Sequence, residues 1–368
     1  MSRTVEPAPD GTTPHRATLP AGILRALTTL ADDGGRFGMI AVDQRPPIFG
    51  ALARHGARRP DEVRYDEVAL VKGVLVEELA RDATAVLLDP IWTHPHHLTA
   101  VPGRVGLLST LEDHAFDVVE GERRSRPIPH WSVAKIARSG AQGVKVLIWD
   151  RPDVSDATRA HQDAFVTDVA RACREHELPF VLELLVYPLP GEDDTSAAYA
   201  RAKPERVIAS VRHYADARFG VDLLKLEFPA DLKHTREYAG GAFDGRARES
   251  VYDLAEVRDL LRRLDDVASV PWVVLSAGVG PREFAVIVEL ACEAGASGFL
   301  AGRAVWADAL AAYPDVAAMR ERLRRVSVPY LRTLRATIER ATPWMEHRRF
   351  GGTVAVEGAT PTWYEEYR

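Results

Sequence analysis

A lysine interrupts an apolar run at Val221-Asp222-Leu223-Leu224-Lys225-Leu226-Glu227-Phe228-Pro229. Burying an ammonium in a strand is costly unless the group is compensated or gives up its proton, and the neutral amine is the form that attacks a carbonyl. Lys225 is therefore a candidate Schiff-base nucleophile; the alternative is that it reaches the sheet end and pairs with a carboxylate such as Glu227. Two more charged residues sit in runs of the same kind, Lys145 within Gly143 to Trp149 and Glu183 within Pro179 to Val186. Two ammonium groups facing one interior disfavour each other's charge, which lowers the pKa of one amine. A carboxylate between them would move protons in carbinolamine dehydration and in C–C cleavage. The competing reading is a Lys–Glu–Lys cluster that only holds the structure together.

These residues need a scaffold that brings separate strands to one point. Eight short apolar runs alternate with helix-period segments: Phe37 to Val42, Ala85 to Leu88, Val105 to Leu111, Gly143 to Trp149, Pro179 to Val186, Asp222 to Phe228, Pro271 to Leu275 and Ser297 to Ala301. The third is the weakest, lying close to the second. Helical patterns cover Tyr65 to Arg81, His161 to Glu177, Pro204 to Phe219, Tyr252 to Leu264 and Pro281 to Gly295. The alternation predicts an α/β fold, a (β/α)8 TIM barrel. A doubly wound open sheet competes, but the glycine-rich G-x-G-x-x-G turn that would follow its first strand is missing.

In such a barrel, chemistry collects where strands end. The first run ends in Asp43-Gln44-Arg45 and the second in Asp89-Pro90; Lys145, Glu183 and Lys225 lie on the fourth, fifth and sixth. The last two end in Ser276-Ala277-Gly278 and Gly302-Arg303, where small-residue turns expose N–H groups and a guanidinium offers bidentate contact, so an anion site is expected there. Any one of these residues alone is compatible with a satisfied polar layer or a steric need for glycine.

The remaining features bound the function. Net charge of −6, from 47 basic and 53 acidic residues spread along the chain, gives no basic face for nucleic acid, so a small-molecule partner is expected. Cys173 and Cys292 form neither a disulfide framework nor a metal cluster, and no apolar run reaches a membrane span or a signal-peptide core. A cytoplasmic protein without a membrane partner is the expectation. His94-Pro95-His96-His97 lacks metal-ligand spacing and reads as a loop. Trp92 and Trp149 either wall a pocket or cap the core, with the core role favoured. The predicted organisation is a flexible N-terminal arm over 1–18, one domain over 19–345, and an irregular tail over 346–368. An Arg-rich helical extension, Asp308 to His347, would cover the barrel or an oligomer partner. A homo-oligomer is expected of a barrel of this kind.

Read in order, Ile40 to Arg45, Leu87 to Pro90, Gly143 to Leu147, Leu182-Glu183, Phe219 to Lys225, Leu275 to Val279 and Ala301 to Trp306 form a recognisable set. The chain resembles the class I tagatose 1,6-bisphosphate aldolase family from about Leu24 to Trp344, and the related sulfofructose-phosphate aldolases share much of the set. The resemblance implies that Lys225 forms the Schiff base, with Lys145 and Glu183 as its companion lysine and acid/base carboxylate and Asp43 as a further active-site carboxylate. It implies that Ser276, Gly278, Gly302 and Arg303 hold the phosphate of dihydroxyacetone phosphate, and that Gln44 and Arg45 lie near the other end of the substrate; Ala277 and Asp89, at the same strand ends, are further candidates for phosphate or substrate binding. No metal or cofactor is implied. The family continues Asp43-Gln44-Arg45 with Gly-Ser where this chain has Pro46-Pro47, and its Asp-Pro-Glu-Tyr-Gly is here Asp89-Pro90-Ile91-Trp92-Thr93. The expected activity is reversible cleavage of a phosphorylated ketose, such as tagatose 1,6-bisphosphate, to dihydroxyacetone phosphate and an aldehyde. The alternatives are a sulfonated or otherwise modified ketose phosphate, or a sensor without turnover.

Overall fold

The structure, a computed structural model, describes residues 17–56 and 58–367. Eight parallel strands close into a barrel: β1 (Phe37–Ala41), β2 (Ala85–Leu88), β3 (Gly106–Thr110), β4 (Gly143–Trp149), β5 (Phe180–Leu185), β6 (Leu223–Leu226), β7 (Trp272–Val274) and β8 (Gly298–Ala301). Each of the eight runs read from the sequence supplies one strand, the weak third included. Strand order follows chain order around the ring, and β8 pairs back onto β1 through Phe299 and Gly38. Helices of 15, 20, 18, 14 and 14 residues (Tyr65–Leu79, Asp156–Glu175, Ala197–Tyr214, Leu254–Val267, Pro281–Ala294) make most of the outer layer. Among the described residues no helix is long and apolar enough to cross a membrane.

Side-chain alternation divides each strand between two cores. Ile40, Val86, Val144, Val146, Leu182, Leu184, Leu224 and Val274 point outward and pack under the helices. Their neighbours Met39, Leu87, Leu108, Val181, Leu223, Val273 and Leu300 point inward and fill the barrel, joined from below by Ile23, Leu27 and Leu30 of the helix Ala21–Leu30. The inner core ends where polar inward positions begin, two residues further along several strands. Ala41 is followed by Asp43, Val181 by Glu183 and Leu223 by Lys225.

Two expectations about the ends are modified. Residues 1–16 of the expected arm lie outside the described residues, but Ala17–Leu19 form a strand paired in parallel with Val354–Val356. The tail expected to be irregular therefore contains this strand and a short helix, Trp363–Glu366. The Arg-rich extension covers the barrel's own outer layer. Arg320 and Arg324 pair with Glu78, Arg332 with Asp82, and Tyr313 donates to Glu67, fixing it on the helix Tyr65–Leu79 and its C-terminal turn.

Candidate active site

A cavity of about 290 Å³ opens at the C-terminal ends of the strands. Register places its central groups: Glu183 on β5 lies opposite Leu147 on β4 and opposite Lys225 on β6. Lys225 Nζ donates to Glu183 Oε2 at 2.9 Å, and Lys145 Nζ lies 2.7 Å from the same oxygen. Lys145 also donates to Asp43 Oδ2 at 3.1 Å and to Glu112 Oε1 at 2.6 Å. Both lysines are buried, Lys145 at 2% and Lys225 at 4% exposure, so neither is a surface cation. Lys225 takes Glu183 as its partner, not the neighbouring Glu227, which pairs with Lys203 and accepts from the Val186 N–H.

The three carboxylates around Lys145 decide its protonation. Burial works against the charge, but Asp43, Glu112 and Glu183 outweigh it and hold this ammonium well above the ordinary lysine range. The sequence expectation that like charges would lower one amine therefore does not describe Lys145. Burial likewise raises the carboxyls, yet Lys145 and Lys225 hold Glu183 below its usual value, and the same two lysines with Arg45 bring Asp43 down to about 2. The cluster thus favours ionised Asp43 and Glu183 beside a protonated Lys145.

The turn after β7 carries two left-handed residues, Ala277 at φ 44° and Gly278 at φ 85°, and closes through the Val279 N–H on Ser276 O at 2.9 Å. Glycine at 278 also leaves room for the guanidinium: a Cβ there would stand 2.8 Å from Arg303 Cζ and displace it. At Gly302 a Cβ would meet the Gln44 side chain at 2.4 Å and Ala41 O at 3.0 Å. The two glycines let the turn after β7, Arg303 and Gln44 close on one another. Ser276, Ala277, Gly302, Arg303, Gln44 and Arg45 line the cavity with the charged cluster.

Asp89 is not brought to the cavity. The backbone leaves β2 at this point, and the carboxylate is fully buried against Lys72 Nζ at 2.5 Å, accepting also from the N–H groups of Ile91 and Trp92. The lysine that balances it comes from the middle of the helix Tyr65–Leu79. Trp149, read as a core residue, lines the cavity, whereas Trp92 packs edge-on to Phe49 at 5.5 Å. His94–His97 form a short helix in which His96 meets Tyr65 Oη and His97 meets Ala69 O, both at 2.8 Å. Among the described residues no group of three or more His, Cys, Asp or Glu is disposed to hold a metal ion.

Glu112 is the site residue that sequence reading missed. It stands two residues beyond β3, buried, and its carboxylate also accepts from Thr110 Oγ1 at 2.7 Å. The signal was the polar residue directly after Leu111, obscured because the third run was the least distinct.

A closed (β/α)8 barrel with a buried lysine hydrogen-bonded to a carboxylate in a cavity at its C-terminal mouth is the architecture of an enzyme. The description "DeoC/LacD family aldolase" matches residues 42–308, and the chain belongs to that family. It is 31% identical to a tagatose 1,6-diphosphate aldolase of Streptococcus pneumoniae over 325 residues, covering 87% of this chain and 96% of the relative. With the enzyme of the same description from Lactococcus lactis the identity is 30% over 327 residues, 88% and 97% of the two chains. The fold is shared with a fructose-bisphosphate aldolase from Plasmodium falciparum (TM-score 0.60, 14% identity, 89% and 98% covered). It is shared also with a Schiff-base-forming fructose-1,6-bisphosphate aldolase (TM-score 0.53, 17% identity, 86% and 99% covered). The protein is an aldolase, a carbon–carbon lyase.

Proposed function

We propose that this aldolase is of the Schiff-base class and reversibly cleaves a ketose carrying a C1 phosphate, the substrate class to which tagatose 1,6-bisphosphate belongs, to dihydroxyacetone phosphate and an aldehyde. The observation that carries this reading is Lys225 Nζ at 2.9 Å from Glu183 Oε2, in a cavity whose wall also holds Arg303 and the turn at Ser276. Lys225 adds to the C2 carbonyl, and loss of water gives an iminium. The C4 hydroxyl then yields its proton to a base, the C3–C4 bond breaks, and its electron pair is taken up by the iminium as an enamine. Protonation at C3 and return of water release dihydroxyacetone phosphate and the free amine. Glu183 is the proton carrier in reach of Lys225, and Lys145, held charged, keeps Glu183 and Asp43 ionised.

Arg303 and the N–H groups of the left-handed turn serve the C1 phosphate and so fix C2 beside the lysine. Borohydride reduction in the presence of dihydroxyacetone phosphate, followed by peptide mass spectrometry, tests the reading. A phosphate-bearing adduct on Lys225 is expected; a folded protein giving no adduct would sink it. Turnover should persist in excess chelator, since no step uses a metal. The same reading includes a cytoplasmic homo-oligomer; the two buried free thiols, Cys173 and Cys292, agree with a reducing compartment. Sedimentation velocity and cell fractionation test those two points.

A further inference from the structure

Resting on the aldolase reading above, the structure also bears on what the far end of the ketose carries. In the ring β3 stands diametrically opposite β7, so the loop after β3, with the loop after β1, walls the side of the cavity away from the turn after β7. We infer that this aldehyde half is built for an uncharged end group, and that the ketose 1-phosphate cleaved here ends in a hydroxyl or a methyl rather than a phosphate.

The backbone supplies the first argument. The helix Pro46–His55 starts in the cavity wall, where a helix N-terminus would ordinarily offer free N–H groups to an anion. Pro46 and Pro47 have no N–H, and the next two, of Ile48 and Phe49, both donate to Arg45 O at 3.1 Å. The first turn has no donor left.

Charge and shape supply the second. Asp43, Glu112 and Asp113 line this half, against Arg45 and a Lys145 already shared among three carboxylates. Arg45 donates through Nη2 to Glu112 O at 3.0 Å and lies 4.0 Å from the Glu112 carboxylate, which compensates its charge. Asp113 pairs with Arg126 at 3.7 Å and with His114 at 3.1 Å. Arg123 stands outside the wall, its guanidinium 4.3 Å from the Trp149 ring, 4.8 Å from Phe116 and 4.9 Å from Tyr187. In this half the buried Arg45 Nη1 lacks a partner, and as a donor it is satisfied by a hydroxyl oxygen. Phe116, Trp149, Leu147 and Leu185 make the remaining wall apolar.

The test runs the reaction in the addition direction with dihydroxyacetone phosphate as donor. The acceptors are lactaldehyde, glyceraldehyde, glyceraldehyde 3-phosphate and the 3-sulfonate analogue. The better uncharged acceptor is expected to show a kcat/KM at least about tenfold above either anionic one. Preference for the phosphorylated or the sulfonated aldehyde overturns the inference. In Pro46→Gly/Pro47→Ser the two added N–H groups should bring the phosphate-to-neutral ratio up by about tenfold; an unchanged ratio overturns the role given to the helix start. Borohydride trapping needs no aldehyde, so the two readings fail separately. An absent adduct counts against the lysine mechanism, and an adduct joined to a preference for phosphate counts against this inference alone.

Discussion

Lys145 and Lys225 are the same residue type on strands two apart, and they differ in how many carboxylates each meets. Lys145 has three partners within 3.1 Å and keeps its proton; Lys225 has one, shared with Lys145. Lys225→Ala removes the amine yet leaves Glu183 paired with Lys145. The variant should melt near the wild-type temperature while kcat falls by about 10⁴-fold or more; cleavage within tenfold of wild type would show that another group is the nucleophile. The carboxylates make the acid behaviour of the fold predictable. Asp43 is depressed from 3.8 to about 2, so its ionised form stabilises the folded state. That contribution is fully present above pH ~4 and is lost as the pH falls toward about 2. Denaturant melts of wild type and Asp43→Asn should therefore differ at pH 6 and converge toward pH 2; a constant difference would remove the charge from the explanation.

At the scale of elements, the site is a consequence of strand parity. Lys225 follows Leu223 by two residues and Glu183 follows Val181 by two, so each is carried to the inner face by the alternation that keeps Leu224 and Leu182 under the helices. Asp89 also follows an inward residue, Leu87, and parity alone would put it in the cavity. The turn after β2 instead delivers it to Lys72, because two buried opposite charges 2.5 Å apart cost far less than either alone. Asp89→Ala should thus cost stability, about 3–5 kcal/mol, with kcat/KM per folded molecule changed less than about twofold. A large rise in KM with unchanged melting would instead place Asp89 against the substrate.

At the scale of the whole molecule, catalytic end and closing end are separate. The cavity sits at the C-terminal ends of the strands, while the opposite end is sealed by the helix Ala21–Leu30, Trp344 and Phe350 and by the pairing of Ala17–Leu19 with Val354–Val356. Glu357 N donates to Leu19 O at 2.8 Å, and Tyr367 Oη reaches Glu177 at 2.7 Å, so the tail binds the closing end. Removal of residues 351–368 should lower the melting temperature by about 2–4 °C and leave kcat unaltered. A loss of turnover at a temperature where the truncated chain is folded would mean that the tail acts on the site.

The sequence alone determined the eight strands, the barrel, and most residues at its mouth, because period-2 burial and the rarity of charge in apolar strands are both local properties of the chain. Lys145, Glu183 and Lys225 stood out for that reason. Which charges meet was decided only in three dimensions. Glu112 joined Lys145 across 33 positions, Asp89 was drawn away by Lys72 across 17, and Lys225 chose Glu183 across 42 over Glu227 two residues off. Side chains two apart on a strand share a face but must compete with whatever the neighbouring strand brings to the same height. That height is fixed by the closed ring and its register, which no short stretch of sequence contains.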